Sequence, residues 1–231
     1  ELVPQLKKYQ ELLMDYTQAK VLQGLGRGVD VGRFTKDNEY KRETILGLAM
    51  TQEPNVFDIA VNLAERYKMA LWEVYMTHLE YLFDSCEKST DIEARVRELA
   101  FLNTLHEKPD EFRERMFKYV YPSLDGTAHG TLTYFYTLLS NIPLENDNLS
   151  AGDHVKILKR IKSSAPGLDY KKLMSGEHRP LDVIRPVLTS GNIHVISKLA
   201  PKIPDPKGGF LDPSLVCCAW ATNVFWKGES A

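Results

Sequence analysis

The residues of this chain that could do chemistry are six histidines, three cysteines, a short glycine run and a cluster of cations. The histidines stand at His78, His106, His129, His154, His178 and His194. A metal site needs several such donors converging, and its signature is tight spacing between His or Cys residues. None of the six has a His or Cys partner at such a spacing. His78 and Glu80 are two apart, so on a helix they point in different directions. Surface or helix-end histidines are expected, with no metal. Cys86, Cys217 and Cys218 contain no Cys-x-x-Cys and read as buried or half-buried free thiols in a reducing compartment. No Gly-x-Ser-x-Gly elbow is present. The carboxylates fall on the polar faces of amphipathic segments and form no evident acid–base pair. The chain is therefore expected to have no catalytic residues and no cofactor, and not to be an enzyme.

Gly24-Leu25-Gly26-Arg27-Gly28 has the glycine content of a phosphate loop but not its context. No Lys-Ser or Lys-Thr follows, and no strand precedes it. It reads as a helix end followed by a loop. That loop carries Arg27, Arg33 and Phe34, and an exposed Phe beside two arginines would suit a protein contact. Lys156, Lys159, Arg160 and Lys162 form a second candidate. They are a solvated helix face, or a docking surface for an acidic partner peptide or a phospholipid headgroup. Asn148-Leu149-Ser150 matches a glycosylation sequon, which would matter only in a secreted protein.

The elements that would position these residues are helices. In the stretch from Val56 to Phe83, Trp72, Tyr75, Met76, Leu79, Leu82 and Phe83 recur at steps of three and four, opposite Glu73, Thr77, Glu80 and Asp84. The first six are the predicted structural core. Phe57, Ala60, Val61 and Ala64 repeat the pattern with smaller residues, which allows close helix approach. Arg66 to Ala70 is the turn between them. The result is a helix hairpin on which the rest of the chain is organised.

Residues 3–23 read as a long helix with a Leu6, Tyr9, Leu13, Tyr16 stripe, stopped by the glycines. A helix over 40–50 ends before Pro54. Thr90 to Glu93 and Ser150 to Asp153 read as capping boxes. Pro109 suits a first helical position, ahead of a Phe112, Met116, Tyr119, Val120 stripe that Pro122 closes. Leu132, Phe135, Tyr136 and Leu139 make the next stripe, and Val155, Leu158 and Ile161 another. Short helices are expected at 169–174, 180–189 and 191–200, then a Pro- and Gly-rich loop at 201–211. Asp212-Pro213 opens a last helix whose inward face is read as Leu215, Cys218, Ala219, Thr222 and Phe225.

The predicted fold class is thus all-α: about ten to twelve helices paired as antiparallel hairpins, an α-solenoid or irregular array. The two-helix rhythm is the size of one solenoid unit. One domain over 1–231 is expected, with a soft sub-boundary near 141–150. The first and last helices should each expose a face that flanking chain would cover, because the sequence, beginning at Glu1 without Met, reads as a piece of something longer. Its 231 residues, 43% hydrophobic and 26% charged, are ordinary for a globular protein. A net charge of −2 gives no global attraction to nucleic acid or anionic membrane. No signal peptide is evident, and no apolar run approaches the ~18 residues of a membrane-spanning helix.

Over nearly its whole length the sequence resembles the neuroblastoma-amplified sequence family. The likeness is carried by residues 2–37, by Trp-Glu-Val-Tyr-Met-Thr-His-Leu-Glu-Tyr-Leu-Phe at 72–83, by 118–122, by 167–173 and by 196–204. Segments 84–105 and 205–224 are divergent. These are not chemical motifs, and their specificity comes from length and order. The resemblance implies a large peripheral protein with an N-terminal β-propeller and a long α-solenoid, this piece lying in the solenoid region shared with the Sec-type subunit of the yeast Dsl complex. It implies a tether at the cytoplasmic side of the endoplasmic reticulum that captures COPI-coated vesicles returning from the Golgi. The implied partners are companion tether subunits of the RINT and Zeste-White type and ER SNARE proteins. A role in nonsense-mediated mRNA decay also attaches to the family, but the near-neutral charge gives no support for direct RNA binding. No binding residue of the family transfers to a position here. The rival readings are a kinetochore Rod-type subunit that shares the Zeste-White partner, and a self-assembling vesicle-coat solenoid.

Overall fold

The computed structural model describes residues 2–26, 28–144 and 149–227. Among them fourteen α-helices occur and no strand, only an isolated antiparallel bridge between Pro204 and Phe210. The all-α expectation holds, with somewhat more helices than the ten to twelve expected. The chain divides into two compact units, one of residues 1–82 and 101–107, the other of 83–100 and 108–231. The soft boundary expected near 141–150 includes residues 145–148, which lie outside the described residues.

In the first unit, α1 (Leu2–Gly24) is followed by α2 (Val31–Lys36), α3 (Asn38–Ala49), α4 (Pro54–Arg66), α5 (Leu71–Ser85) as far as Leu82, and α7 (Leu102–His106). Gly26 and Gly28 have φ of +72° and +64°. This left-handed backbone is cheap only for glycine, and it is why α1 stops there. Asp37 carries the α2–α3 junction. It closes α2 through its N–H on the Arg33 carbonyl, and its side chain caps α3 by accepting from Glu39 and Tyr40 N–H. Those N–H groups, Tyr40 first, outweigh burial and hold the Asp37 carboxyl below its ordinary pKa.

The helix break read at 66–70 is present between α4 and α5, and the core read for α5 is largely borne out. Trp72, Met76, Leu79, Leu82 and Phe83 are buried and Tyr75 is half-buried. The Trp72 indole N–H donates to the Leu105 carbonyl at 3.1 Å. However, Val74 and His78 are also fully buried, and Glu73, Thr77 and Glu80 are half-buried rather than free. α5 is enclosed on more than one side, so its polar face is narrower than its sequence suggested. On α4, Leu63 is buried where Val61 was expected, and Val61 is half-buried. α4 lies close along α3, and it meets α5 through the Phe57 ring, 4.0 Å from that of His78.

The second unit holds α6 (Ser89–Leu99), α8 (Pro109–Arg115), α9 (His129–Leu138), α10 (Ala151–Ser164), α11 (Tyr170–Met174), α12 (Pro180–Ile184), α13 (Ile193–Leu199) and α14 (Pro213–Lys227). α8 continues into a π-helical turn at Met116–Val120 and a 3-10 turn at Tyr121–Ser123. The wider π turn keeps Phe112, Met116 and Val120 inward but leaves Tyr119 exposed, against the four-residue stripe expected. Leu132, Phe135, Tyr136 and Leu139 are buried as expected, and α9 packs against α10. Ser150 caps α10 by accepting from the Asp153 N–H, as its capping box predicted. The capping box read at Thr90 to Glu93 is not formed: α6 begins at Ser89, and Thr90 is inside it. On α14 the inward face is Val216, Ala219 and Asn223, while Leu215, Cys218, Thr222 and Phe225 point outward. That helix is apolar around most of its circumference, so period alone did not fix its face. Packing on α12 and α13 and the Asn223 amide on the Arg185 carbonyl did.

Candidate functional site

The glycine-flanked candidate is a loop only at its start: residues 28–30 are irregular and residues 31–36 are helical. Arg27 lies outside the described residues. Arg33 and Phe34 are on α2, a helix that Asp30 starts by accepting from the Arg33 N–H. Arg33 faces solvent, with its guanidinium 4.4 Å from the Tyr40 ring centre and 3.4 Å from the Asp37 carboxylate. Phe34 is fully buried, which corrects the expectation of an exposed contact residue. Its ring meets Tyr67 edge-on at 6.0 Å, and the Lys41 ammonium lies 5.6 Å from it. Lys41 in turn pairs with Asp15 at 2.7 Å, and the Tyr67 hydroxyl donates to the other Asp15 oxygen at 2.7 Å. Burial, then the bond to Asp15, pushes the Tyr67 phenol well above its ordinary pKa. Phe34 thus packs beneath a part-buried polar knot that ties α1, α3 and the end of α4 together.

Three of the six histidines depart from the expected surface role, whereas His178 and His194 are exposed as expected. His78, His129 and His154 are buried. His78 Nδ1 donates to the Ala49 carbonyl at 2.7 Å, and His129 Nε2 to the Leu168 carbonyl at 2.6 Å. The His154 ring stacks on Tyr136 at 4.2 Å and hydrogen-bonds the Tyr170 hydroxyl at 2.7 Å. They act as polar cross-links between elements inside the core. No group of three or more His, Cys, Asp or Glu that could hold a metal occurs among the described residues. Cys86 is half-buried, while Cys217 and Cys218 are exposed, so the expectation of sheltered thiols holds only for the first.

The basic face on α10 is present. Lys156, Lys159, Arg160 and Lys162 are all exposed. They do not form one cluster. At about 100° per residue, Lys156, Lys159 and Arg160 share a face, and Lys162 is turned well away from Lys156 and Arg160. Its ammonium lies against Gly130 of α9. Lys156, Arg160 and Ser163 instead face α13, which runs antiparallel to α10. The pairing is pinned at both ends. Asn192, buried at the start of α13, donates to the Ser164 and Val187 carbonyls at 3.1 and 2.7 Å. At the opposite end Lys202, in the 3-10 turn after α13, reaches Asp153 at 3.5 Å, and Lys156 reaches the same carboxylate at 3.7 Å. The Ser150 hydroxyl, then these lysines against partial burial, hold Asp153 below the usual carboxylate range.

Between the pins lies a groove of about 280 Å³ lined by Arg160, Ser163, His194, Val195 and Lys198. Only Arg160 among these was singled out from sequence. His194 and Lys198 are four apart on a segment read as helical, so their shared face was legible. That this face meets Arg160, thirty-four residues earlier, was not, because nothing local specifies the α10–α13 pairing.

No family model matches the chain, and no solved structure matches it. A curated human protein described as the NBAS subunit of the NRZ tethering complex is 48% identical over 232 aligned residues, which cover 99% of this chain. The chain spans about a tenth of that relative's length. That identity is far above what fold similarity alone requires, and the match agrees with the resemblance carried by residues 2–37 and 72–83. The chain is a homologue of a segment of the NBAS subunit of the NRZ tethering complex.

Proposed function

We propose that this chain is a non-catalytic scaffold segment of an endoplasmic-reticulum vesicle-tethering complex, acting in Golgi-to-ER retrograde transport of COPI vesicles. In this reading it is peripheral to the membrane on its cytoplasmic side, and it binds companion tether subunits of the RINT and Zeste-White type and ER SNARE proteins. The observation that carries the reading is the near-complete alignment with a tethering-complex subunit. The helical architecture supports it, because packed helices of this kind present side-chain faces for partners and need no chemistry. No described helix is long and apolar enough to cross a membrane. The exposed cations Arg33, Lys156, Lys159, Arg160 and Lys162 are the proposed contact residues. The same alignment favours the tether over the kinetochore Rod-type alternative.

The test is capture. The purified chain, shown to be folded by its helical circular dichroism and a cooperative melt, is presented with each companion subunit and with the cytosolic domains of ER SNAREs. Stoichiometric capture of one of them is expected. A folded chain that captures none would remove the gripping role and leave a spacer.

A further inference from the structure

The groove between α10 and α13 has a chemical character that the rest of the chain lacks. Residues 151–164 and 193–202 contain six cations, Lys156, Lys159, Arg160, Lys162, Lys198 and Lys202, and one carboxylate, Asp153; that balance of +5 is set within a chain whose total is −2. Asp153 is already engaged by Ser150, Lys156 and Lys202. The groove itself is lined by no carboxylate, and Arg160 and Lys198 have no ion-pair partner among the described residues. Two cations held on opposite walls of a cleft, unneutralised, focus a positive potential into it. The lining also includes Val195, half-buried and apolar, with the Ser163 hydroxyl and the His194 imidazole as polar groups.

We infer that this groove is a docking site for an acidic linear segment of a partner protein, one apolar side chain seating on Val195 with carboxylates on either side pairing with Arg160 and Lys198. Charge complementarity chooses the sign of the occupant, and shape chooses its kind. At about 280 Å³ the cleft falls just below the range for small-molecule pockets, roughly 300–1,000 Å³, and is sized for inserted side chains. A bilayer is flat and is gripped by cations alongside exposed apolar residues that insert. Among the described residues of 151–202 no large hydrophobic side chain is exposed. Single-stranded nucleic acid calls for successive aromatic platforms along the cationic groove, and the lining offers no Phe, Tyr or Trp and a single imidazole, His194. That the occupant belongs to a partner protein rests on the scaffold reading above, and the ionic recognition itself stands on the groove.

The probe is a fluorescein-labelled peptide of glutamate and aspartate around one central leucine, titrated with the 231-residue chain by fluorescence anisotropy. Binding is expected that weakens with added salt and that falls more than about tenfold in the Arg160→Glu/Lys198→Glu double variant. Lys207→Glu, an exposed charge reversal in the loop before α14, should leave it unchanged. Replacing the central leucine by serine should also weaken it. Should the double reversal disturb the melt, Arg160→Gln/Lys198→Gln carries the same prediction with a smaller loss. Equal binding by wild type and the groove variants overturns the inference, as does no wild-type binding. Sedimentation with phosphatidylserine vesicles that is lost in the same variants, without peptide binding, assigns the groove to a bilayer and also overturns it. Capture of companion subunits and SNARE domains by the double variant separates the two readings. Retained capture removes the groove and keeps the scaffold, whereas peptide binding with no wild-type capture keeps the groove and removes the gripping role proposed above.

Discussion

At the scale of single residues, the sequence misjudged Phe34 and the buried histidines for one reason. Local glycine content made residues 24–37 look like an exposed loop, and isolated histidines carry no periodic signal. Burial of each is decided by partners distant in the chain: Tyr67 and Lys41 around Phe34, the Ala49 carbonyl on His78, Leu168 on His129. The two neighbours Arg33 and Phe34 therefore have opposite roles, which substitution distinguishes. Phe34→Ala empties a fully buried site and is expected to cost about 3–5 kcal/mol in urea or thermal unfolding. Arg33→Ala removes an exposed side chain and an exposed ion pair, and is expected to change stability by less than about 1 kcal/mol. Equal effects from the two would show that Phe34 does not pack beneath the Asp15–Lys41–Tyr67 knot.

At the scale of elements, the helices follow from their period and their caps. Asp37, Ser150 and Asp169 each satisfy orphan N–H groups at a helix start, and Pro54, Pro109, Pro180 and Pro213 occupy first turns, where a missing N–H costs nothing. Where a helix is apolar on many sides, as α14 is, the period ceases to choose a face. Asp153 illustrates how one cap-proximal residue also joins elements, since it ties the first turn of α10 to Lys202 beyond α13. Its folded carboxyl titrates below the usual range, so the unfolded chain takes up the proton first as pH falls. The stability it contributes is present above about pH 4, near the ordinary Asp value, and is lost as pH drops through the lower folded value. Asp153→Asn should melt below wild type at neutral pH, with the gap closing on acidification. Melting curves from pH 7 downward check this, and a gap that stayed constant would deny the carboxylate its role in the clasp.

At the scale of the whole molecule, the exposed apolar side chains are concentrated in the first and last helices. Val3, Leu6, Tyr9, Leu13 and Tyr16 on α1 and Leu215 and Phe225 on α14 are exposed, as the solenoid reading expects of terminal faces. The scaffold and coat readings differ in what the isolated chain should then do. A tether segment should give one small discrete species in sedimentation velocity across a concentration series. A coat solenoid should give sedimentation that keeps rising with concentration. Continued growth would favour the coat reading, though polymers abolished by polar substitution at Leu6 and Leu13 would trace to the α1 face alone.

What the sequence determined by itself is the helical class, nearly every helix and break, the α5 core from Trp72 to Phe83, and the family likeness that the human relative bears out. These are properties written in local period, capping chemistry and residue order, and each needs only a few consecutive turns to express itself. Tertiary structure decided which faces meet. It buried Phe34 and three histidines, and brought Arg160 opposite Lys198 across a groove. Such pairings join residues tens of positions apart, and their choice rests on the summed packing of whole helix faces and on pins such as Asn192 and Lys202, for which no short stretch of sequence carries a sign.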